Sequence, residues 1–154
     1  MTLDLILNIK PYSVNAYYYG NRSIKKTEAR NWEHSMIELL KPEECQKQLE
    51  HLKELFDPKK HCITISILCL YPEEIFFTQK GTISAKTFDV SNVEKPIIDV
   101  IFLEKYATTK ITNVGIDDKF ITDMHSYKRS YHKNEIRIKI QKENLEYLEN
   151  NLPI

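Results

Sequence analysis

The longest apolar stretch of the chain is Cys62-Ile63-Thr64-Ile65-Ser66-Ile67-Leu68-Cys69-Leu70-Tyr71. It is rich in isoleucine and predicts a central β-strand around which the rest of the fold is arranged. The stretch is much too short to cross a membrane, so we expect no membrane contact. The first residues, Met1 to Asp4, lack the basic and apolar segments of a signal peptide. We therefore expect a cytoplasmic protein.

Further strands are predicted on both sides of this stretch. Alternating apolar residues predict strands over 3–10 and 135–140, and another strand is expected near 120–127. A turn at Lys80-Gly81 predicts a hairpin whose return strand would run over 83–88.

Helical spacing of apolar residues predicts helices between these strands. One helix would begin at Thr27 as its cap and be interrupted by Pro42, and a second would end at Asp57-Pro58. Another would carry the apolar residues of 97–102, and residues 143–154 would form a short C-terminal helix or a tail. The mixture predicts an α+β fold, a small mixed sheet with flanking helices.

Composition limits the classes of function. The 154 residues suffice for a single domain over 1–154 with its own core. Lys plus Arg and Asp plus Glu each number 22, so the formal net charge is zero. Any nucleic-acid contact must therefore come from local patches. Three cysteines without a C-x-x-C pair do not support a zinc ribbon and predict buried free thiols in a reducing compartment.

Two local segments are basic, 10–30 and 119–142, and both contain tyrosines. Basic and aromatic side chains together suit a phosphate backbone and nearby bases. The alternative is that these segments are simply solvated faces. The candidate DNA-binding residues are Arg22, Lys25, Lys26, Lys128 and Arg129.

Acidic residues concentrate in two places that could converge. The first is Asp89-Val90-Ser91-Asn92-Val93-Glu94-Lys95, followed by Asp99, and the second is Asp117-Asp118. Clustered carboxylates favour a hard cation, and Mg²⁺ with a nearby lysine suits phosphodiester hydrolysis. Caps and turns use the same residues, and Ser91 to Glu94 also fits a capping box. The phosphate-binding G-x-x-x-x-G-K-[ST] and the G-x-S-x-G of hydrolases do not occur.

The order of these features resembles the RusA family of Holliday junction resolvases. An N-terminal strand precedes Pro11-Tyr12-Ser13-Val14-Asn15-Ala16-Tyr17-Tyr18, which is similar to a Pro-x-x-x-Asn-x-x-Tyr segment of that family. The family's core motif, Asp-x-Asp-Asn-x-x-Lys with a later Asp, resembles residues 89–95 and Asp99. Its Asp-Asp before a strand resembles residues 117–118, so the resemblance spans roughly 3–140.

The resemblance implies a RusA-like fold and a homodimer that cleaves branched double-stranded DNA at four-way junctions, in recombination and repair. It implies Mg²⁺ as the cofactor, with Mn²⁺ as a substitute. The residues with implied roles are Asp89 and Asp118 as catalytic metal ligands, Asp117 as a further metal ligand, Lys95 as the catalytic lysine, and Asn15, Ser91, Asn92 and Asp99 as supporting residues.

One departure from the family pattern concerns residue 91, where this chain has serine instead of the second acidic residue of the core motif. A serine hydroxyl brings no negative charge to a metal site. The site could work with two carboxylates, another acid such as Asp117 could substitute, or the protein could bind junctions without cutting them. A small α+β protein with a protein partner is the third, blander alternative.

Overall fold

The computed structural model describes residues 1–13, 15, 26–102 and 114–154. In these ranges it contains four strands and five α-helices. They are β1 Thr2–Leu7, α1 Thr27–Leu40, α2 Glu43–Leu55, β2 His61–Pro72, α3 Glu73–Phe76, α4 Glu94–Phe102, β3 Ile121–Tyr131, β4 Glu135–Asn144 and α5 Glu146–Asn150. Two short 3-10 turns, Val90–Val93 and Asp118–Phe120, directly precede α4 and β3. The predicted α+β class is confirmed.

The four strands form one mixed sheet in the order β1-β4-β2-β3. Strand β4 pairs antiparallel with β1 and with β2, whereas β2 pairs parallel with β3. A parallel pair needs a crossover connection, and α4 lies in the segment that joins β2 to β3. Strand β2 is therefore internal to the sheet, as the sequence predicted.

One face of the sheet carries the hydrophobic core. Alternate residues of the inner strands point to this face, and α1, α2 and α4 contribute the other half of the core. The members include Leu3, Leu5, Leu7, Met36, Leu49, Leu52, Ile63, Ile65, Ile67, Ile97, Ile101, Ile136, Ile138 and Ile140. This alternation explains why the strand predictions at both ends of the chain are confirmed.

The other face of the sheet is less covered. We call it the open face and define it by Asp4 and Ile6 of β1, Ser66 and Leu68 of β2, His125 and Tyr127 of β3, and Arg137 and Lys139 of β4. Helix α5 lies at one end of it, where burial and the Asp123 carboxylate raise the pKa of Tyr147. The C-terminal segment, predicted as a short helix or a tail, thus contains the helix α5.

The predicted return strand over 83–88 is wrong. A single bridge pairs Phe77 with Ile83, and the turn between them contains Gly81 at φ +78°. Strand β2 already pairs with β4 and β3 along both of its edges, and α3 begins directly after it. The first arm of the predicted hairpin is occupied by helix α3, so the two arms share only the Phe77–Ile83 bridge.

Several predicted helix and strand ends are also corrected. Lys26 rather than Thr27 is the N-cap of α1, and neither it nor Asp89, the N-cap of the first 3-10 turn, makes a side-chain capping bond. Pro96 is the third residue of α4, where its missing N–H costs no helical hydrogen bond. Strand β3 continues beyond Tyr127 to Tyr131.

The cysteines agree with the prediction of free thiols. Cys62 and Cys69 are buried and unpaired, and Cys45 is half-buried and also free. Burial raises the pKa of Cys69 to about 12, so its thiol stays protonated. Among the described residues, no helix combines the length and the apolar character that a membrane span needs.

Candidate active site

A cleft lies between the beginning of α4 and the beginning of β3. It has a volume of about 350 Å³. Its walls are formed by Glu94, Lys95, Ile98, Asp99, Asp118, Ile121, Thr122, Asp123 and Met124. We call it the acidic cleft, because four of these nine residues are carboxylates. The two walls come from segments that are separate in sequence and meet because α4 packs beside β3.

The helical wall is ordered by spacing along α4. Lys95 and Asp99 are four residues apart and form an ion pair, with 3.3 Å between Nζ and Oδ1. The Lys95 side chain is 63% exposed and that of Asp99 is 16% exposed. The pair therefore keeps the Lys95 ammonium at the rim of the cleft, where a bound anion could reach it.

The strand wall begins at a tight turn. Gly115 has φ +60°, a conformation that suits glycine, and the chain then enters the 3-10 turn that contains Asp118. Asp117 caps this turn, since its Oδ1 accepts a hydrogen bond of 2.9 Å from the Lys119 backbone N–H. Asp118 lines the acidic cleft, whereas Asp117 lines a different one.

Asp89 lies outside the acidic cleft. It is exposed and lines a neighbouring cleft of about 370 Å³ together with Asn15 and Asn92. Its backbone carbonyl accepts a hydrogen bond of 3.0 Å from the Asn92 N–H, which starts the 3-10 turn toward α4. Ser91 is exposed within that turn.

The sequence-predicted site residues thus fall into three groups. Lys95, Asp99 and Asp118 are brought together in the acidic cleft. Asp89 meets two predicted supporting residues in the second cleft, and Asp117 lines the third. Within residues 1–13, 15, 26–102 and 114–154, no three Asp, Glu, His or Cys side chains are grouped closely enough to form a metal site.

Two carboxylates of the acidic cleft were missed by the sequence reasoning. Glu94 Oε1 accepts a hydrogen bond of 2.7 Å from Ser126 Oγ, which links α4 to β3. Asp123 lies opposite Thr64 in the parallel pair of β2 and β3. Asp123 follows Asp118 closely and interrupts an otherwise apolar and hydroxylated strand start, which was the available signal. Glu94 gave no such signal because an acid in the first turn of a helix is ordinary.

The predicted DNA-binding residues differ in their surroundings. Arg129 is exposed, with its guanidinium carbon 5.9 Å from the centre of the Tyr127 ring. Lys128 is half-buried and bonded within the protein, and Lys26 is half-buried. Arg22 and Lys25, like the tyrosines at 17–19, lie outside the described residues.

Comparison of the sequence with protein-family models and with curated proteins finds no match. The resemblance to the RusA family therefore depends on the motif residues and their order alone.

Proposed function

We propose that the protein is a Mg²⁺-dependent endonuclease of the RusA type that resolves four-way DNA junctions by phosphodiester hydrolysis. The observation that supports this best is the acidic cleft, which brings the lysine of the first motif and an aspartate of the second to one place. The two motifs are far apart in sequence, and their convergence is what a shared catalytic site requires.

The donors of the acidic cleft suit magnesium. Mg²⁺ is a hard ion that is commonly held by one or two carboxylates, with waters and substrate phosphate oxygens completing its shell. Asp118 supplies such oxygens and its side chain is exposed, whereas the Asp123 carboxylate interacts with Tyr147 on the open-face side of β3. The lack of a three-carboxylate group in the described residues is compatible with this mode of binding, because the phosphate itself would provide ligands.

The residues of the cleft have separable roles in this proposal. Asp118 would hold the cation, which when bound lowers the pKa of a water and offsets phosphate charge. The Lys95 ammonium would contact a nonbridging phosphate oxygen, where negative charge increases in the transition state. Asp99 positions Lys95 through their ion pair. Arg129 lies on the open-face side of β3 beside Tyr127, away from the cleft at the start of the strand, so it has no role in the cleft.

The direct test is cutting of a synthetic four-way junction by purified protein. We expect paired nicks near the branch point in the presence of Mg²⁺, none with EDTA, and no cutting of a linear duplex of the same sequence. Failure to cut across a range of Mg²⁺ and Mn²⁺ concentrations would refute an active nuclease.

A second candidate function is junction binding without cutting. Two observations favour it: residue 91 is a serine, and Asp89 and Asp118 line different clefts. In that case the acids would have lost their metal, and basic residues such as Arg129 would provide salt-sensitive binding.

Substitution of Ser91 by aspartate separates the two functions. If the native chain only binds junctions, Ser91→Asp should create Mg²⁺-dependent cutting where none existed, because it restores a carboxylate beside Asp89. If the native chain already cuts junctions, an acid at residue 91 is not required for cutting, and Ser91→Asp should change only the cutting rate. Ser91→Asn, which has similar size but no charge, is the matched control, and its activity should stay at the native level in both cases.

We also propose that the protein is a homodimer, since a junction presents two equivalent strands and two-fold symmetry matches that target. The open face suits the interface. Ile6 is 64% exposed and Tyr127 is 44% exposed, and they lie at the two ends of one row across the sheet that includes Arg137 and Leu68. A shallow cleft of about 390 Å³ runs along this row.

The charges of the open face favour a second copy of the same chain over DNA. The open face holds one acid, Asp4, which lies across from Lys139, and a second base, Arg137, which Glu135 already pairs. Two copies related by a two-fold axis can place opposite charges against each other, whereas a DNA backbone would be repelled by Asp4. Face-to-face packing of two sheets is a common way to bury such a surface.

Substitution of Ile6 by glutamate should convert the dimer to a monomer. The change places a charge opposite Arg137, which Glu135 already pairs, and burial of this additional charge in the interface is unfavourable. Light scattering during gel filtration measures the mass, and Ile83→Glu is the control, because Ile83 is similarly exposed but lies outside the open face. A native monomer, or an Ile6→Glu protein as dimeric as the control, would contradict the proposed interface.

A further inference from the structure

Lys128 occupies an unusual position for a cation. In the register of the parallel pair it lies opposite Cys69, and Cys69 belongs to the buried core face. Lys128 therefore points to the side of the sheet that α4 and the preceding turn cover, away from the open face. Its neighbour Arg129 points to the opposite side and is exposed.

The Lys128 ammonium contacts the segment that leads into Asp89. Its Nζ donates to Thr87 Oγ1 at 3.1 Å and to the Phe88 carbonyl oxygen at 3.3 Å. The Thr87 hydroxyl in turn donates to the Ser84 carbonyl oxygen at 2.8 Å. Thr87 and Ser84 are both buried, so these bonds lie in a region of low solvent access.

This network joins β3 to the segment that leads into Asp89. The residues from 84 to 88 form no strand, and the return strand expected there is absent. A lysine ammonium has three N–H donors, and two of them are used on consecutive residues of this segment. The chain is thereby tied to the middle of β3 immediately before Asp89.

We propose that Lys128 is a positioning residue that tethers the segment before Asp89 to β3, rather than a DNA contact. The effect on cutting rests on the function proposed above, whereas the tether itself does not. Because Phe88 directly precedes Asp89, its hydrogen bond to Lys128 holds the backbone of Asp89 at a fixed position relative to β3. Loss of the ammonium should release this segment and leave the sheet intact.

Hydrogen exchange of Lys128→Met tests the tether directly. We expect the amides of 87–92, including the Asn92 N–H, to exchange about tenfold faster or more, because charge-assisted hydrogen bonds that restrain the segment are lost. Amides of β2 and β4 should exchange at the native rate. Lys128→Arg, which retains the donors, should restore much of the protection, and Lys59→Met is the charge-matched control, because Lys59 is exposed and lies outside the open face and the clefts.

Cutting and binding assays separate positioning from DNA contact. With saturating junction, Lys128→Met should lower the cutting rate about tenfold, with its Kd for the junction in Ca²⁺ within about twofold of native. An increased Kd with an unchanged cutting rate at saturation would overturn the proposal, and so would unchanged exchange over 87–92.

The two proposals can fail separately. If native protein does not cut but Lys128→Met still releases 87–92, the nuclease function is refuted and the tether stands. If Lys128→Met does not fold, Thr87→Val removes the acceptor hydroxyl and serves as the second variant. Native exchange over 87–92 in a folded Thr87→Val protein would then overturn the tether.

Discussion

Substitution of Asp118 by asparagine should abolish Mg²⁺-dependent cutting while junction binding survives. The side chain lies in the acidic cleft with Lys95, and asparagine keeps its size but removes the negative charge. Several kcal/mol of transition-state stabilisation depend on a catalytic metal, so the rate should fall by about 10³-fold. Asp118 is exposed, so the substitution should not change the free energy of unfolding by much.

The measurement is a single-turnover cutting rate, with a binding isotherm in Ca²⁺ beside it. Binding should be equal or tighter, because one negative charge near the phosphates is removed. Glu73→Gln is the control, since it makes the same change of charge at an exposed position outside the cleft. Cutting by Asp118→Asn at the control rate would exclude the acidic cleft as the catalytic site.

Substitution of Asp89 by asparagine should also cause a large loss, about 10²-fold or more if the carboxylate helps to hold the catalytic ion. The resemblance to the RusA motif implies this role, but in the structure Asp89 lines the second cleft with Asn15 and Asn92. DNA that contacts both acids would have to extend over the 3-10 turn between the two clefts. Cutting rates and junction affinity are measured as for Asp118.

The double variant Asp89→Asn/Asp118→Asn decides whether the two acids act on one ion. If they grip it jointly, either single change removes the ion and the double variant is no slower than the slower single one. We expect the rate losses to multiply instead, because Asp89 and Asp118 line separate clefts. A double variant no slower than the slower single one would contradict this and show that both acids act on one ion.

The strands with a buried alternating face were accessible to sequence reasoning. Leu3, Leu5 and Leu7 alternate with polar residues or exposed Ile6, and Ile136, Ile138 and Ile140 do the same in β4. A period of two can bury one face of a strand only, so the pattern predicts both the strand and its buried side. The helices before Pro42 and Pro58 were predictable for the same kind of local reason, since proline ends helices.

The segment 83–88 shows where local reasoning failed. Its apolar and β-branched residues favour a strand, but the stretch with which it was predicted to pair begins as helix α3. A strand needs a partner strand, so the local propensity alone does not form one here. The half-buried Lys128 ammonium then donates hydrogen bonds to this segment in place of a strand ladder.

The sequence by itself determined the α+β class, the central strand, the core residues and the two acidic motifs, because these depend on periodicity and side-chain chemistry within a short stretch. Only the tertiary structure decided which acids meet: Asp118 joins Glu94, Asp99 and Asp123, while Asp89 and Asp117 line other clefts. The physical reason is that this grouping depends on how α4 packs beside the edge strand β3, and no local spacing encodes the relative placement of two elements joined by a long connection.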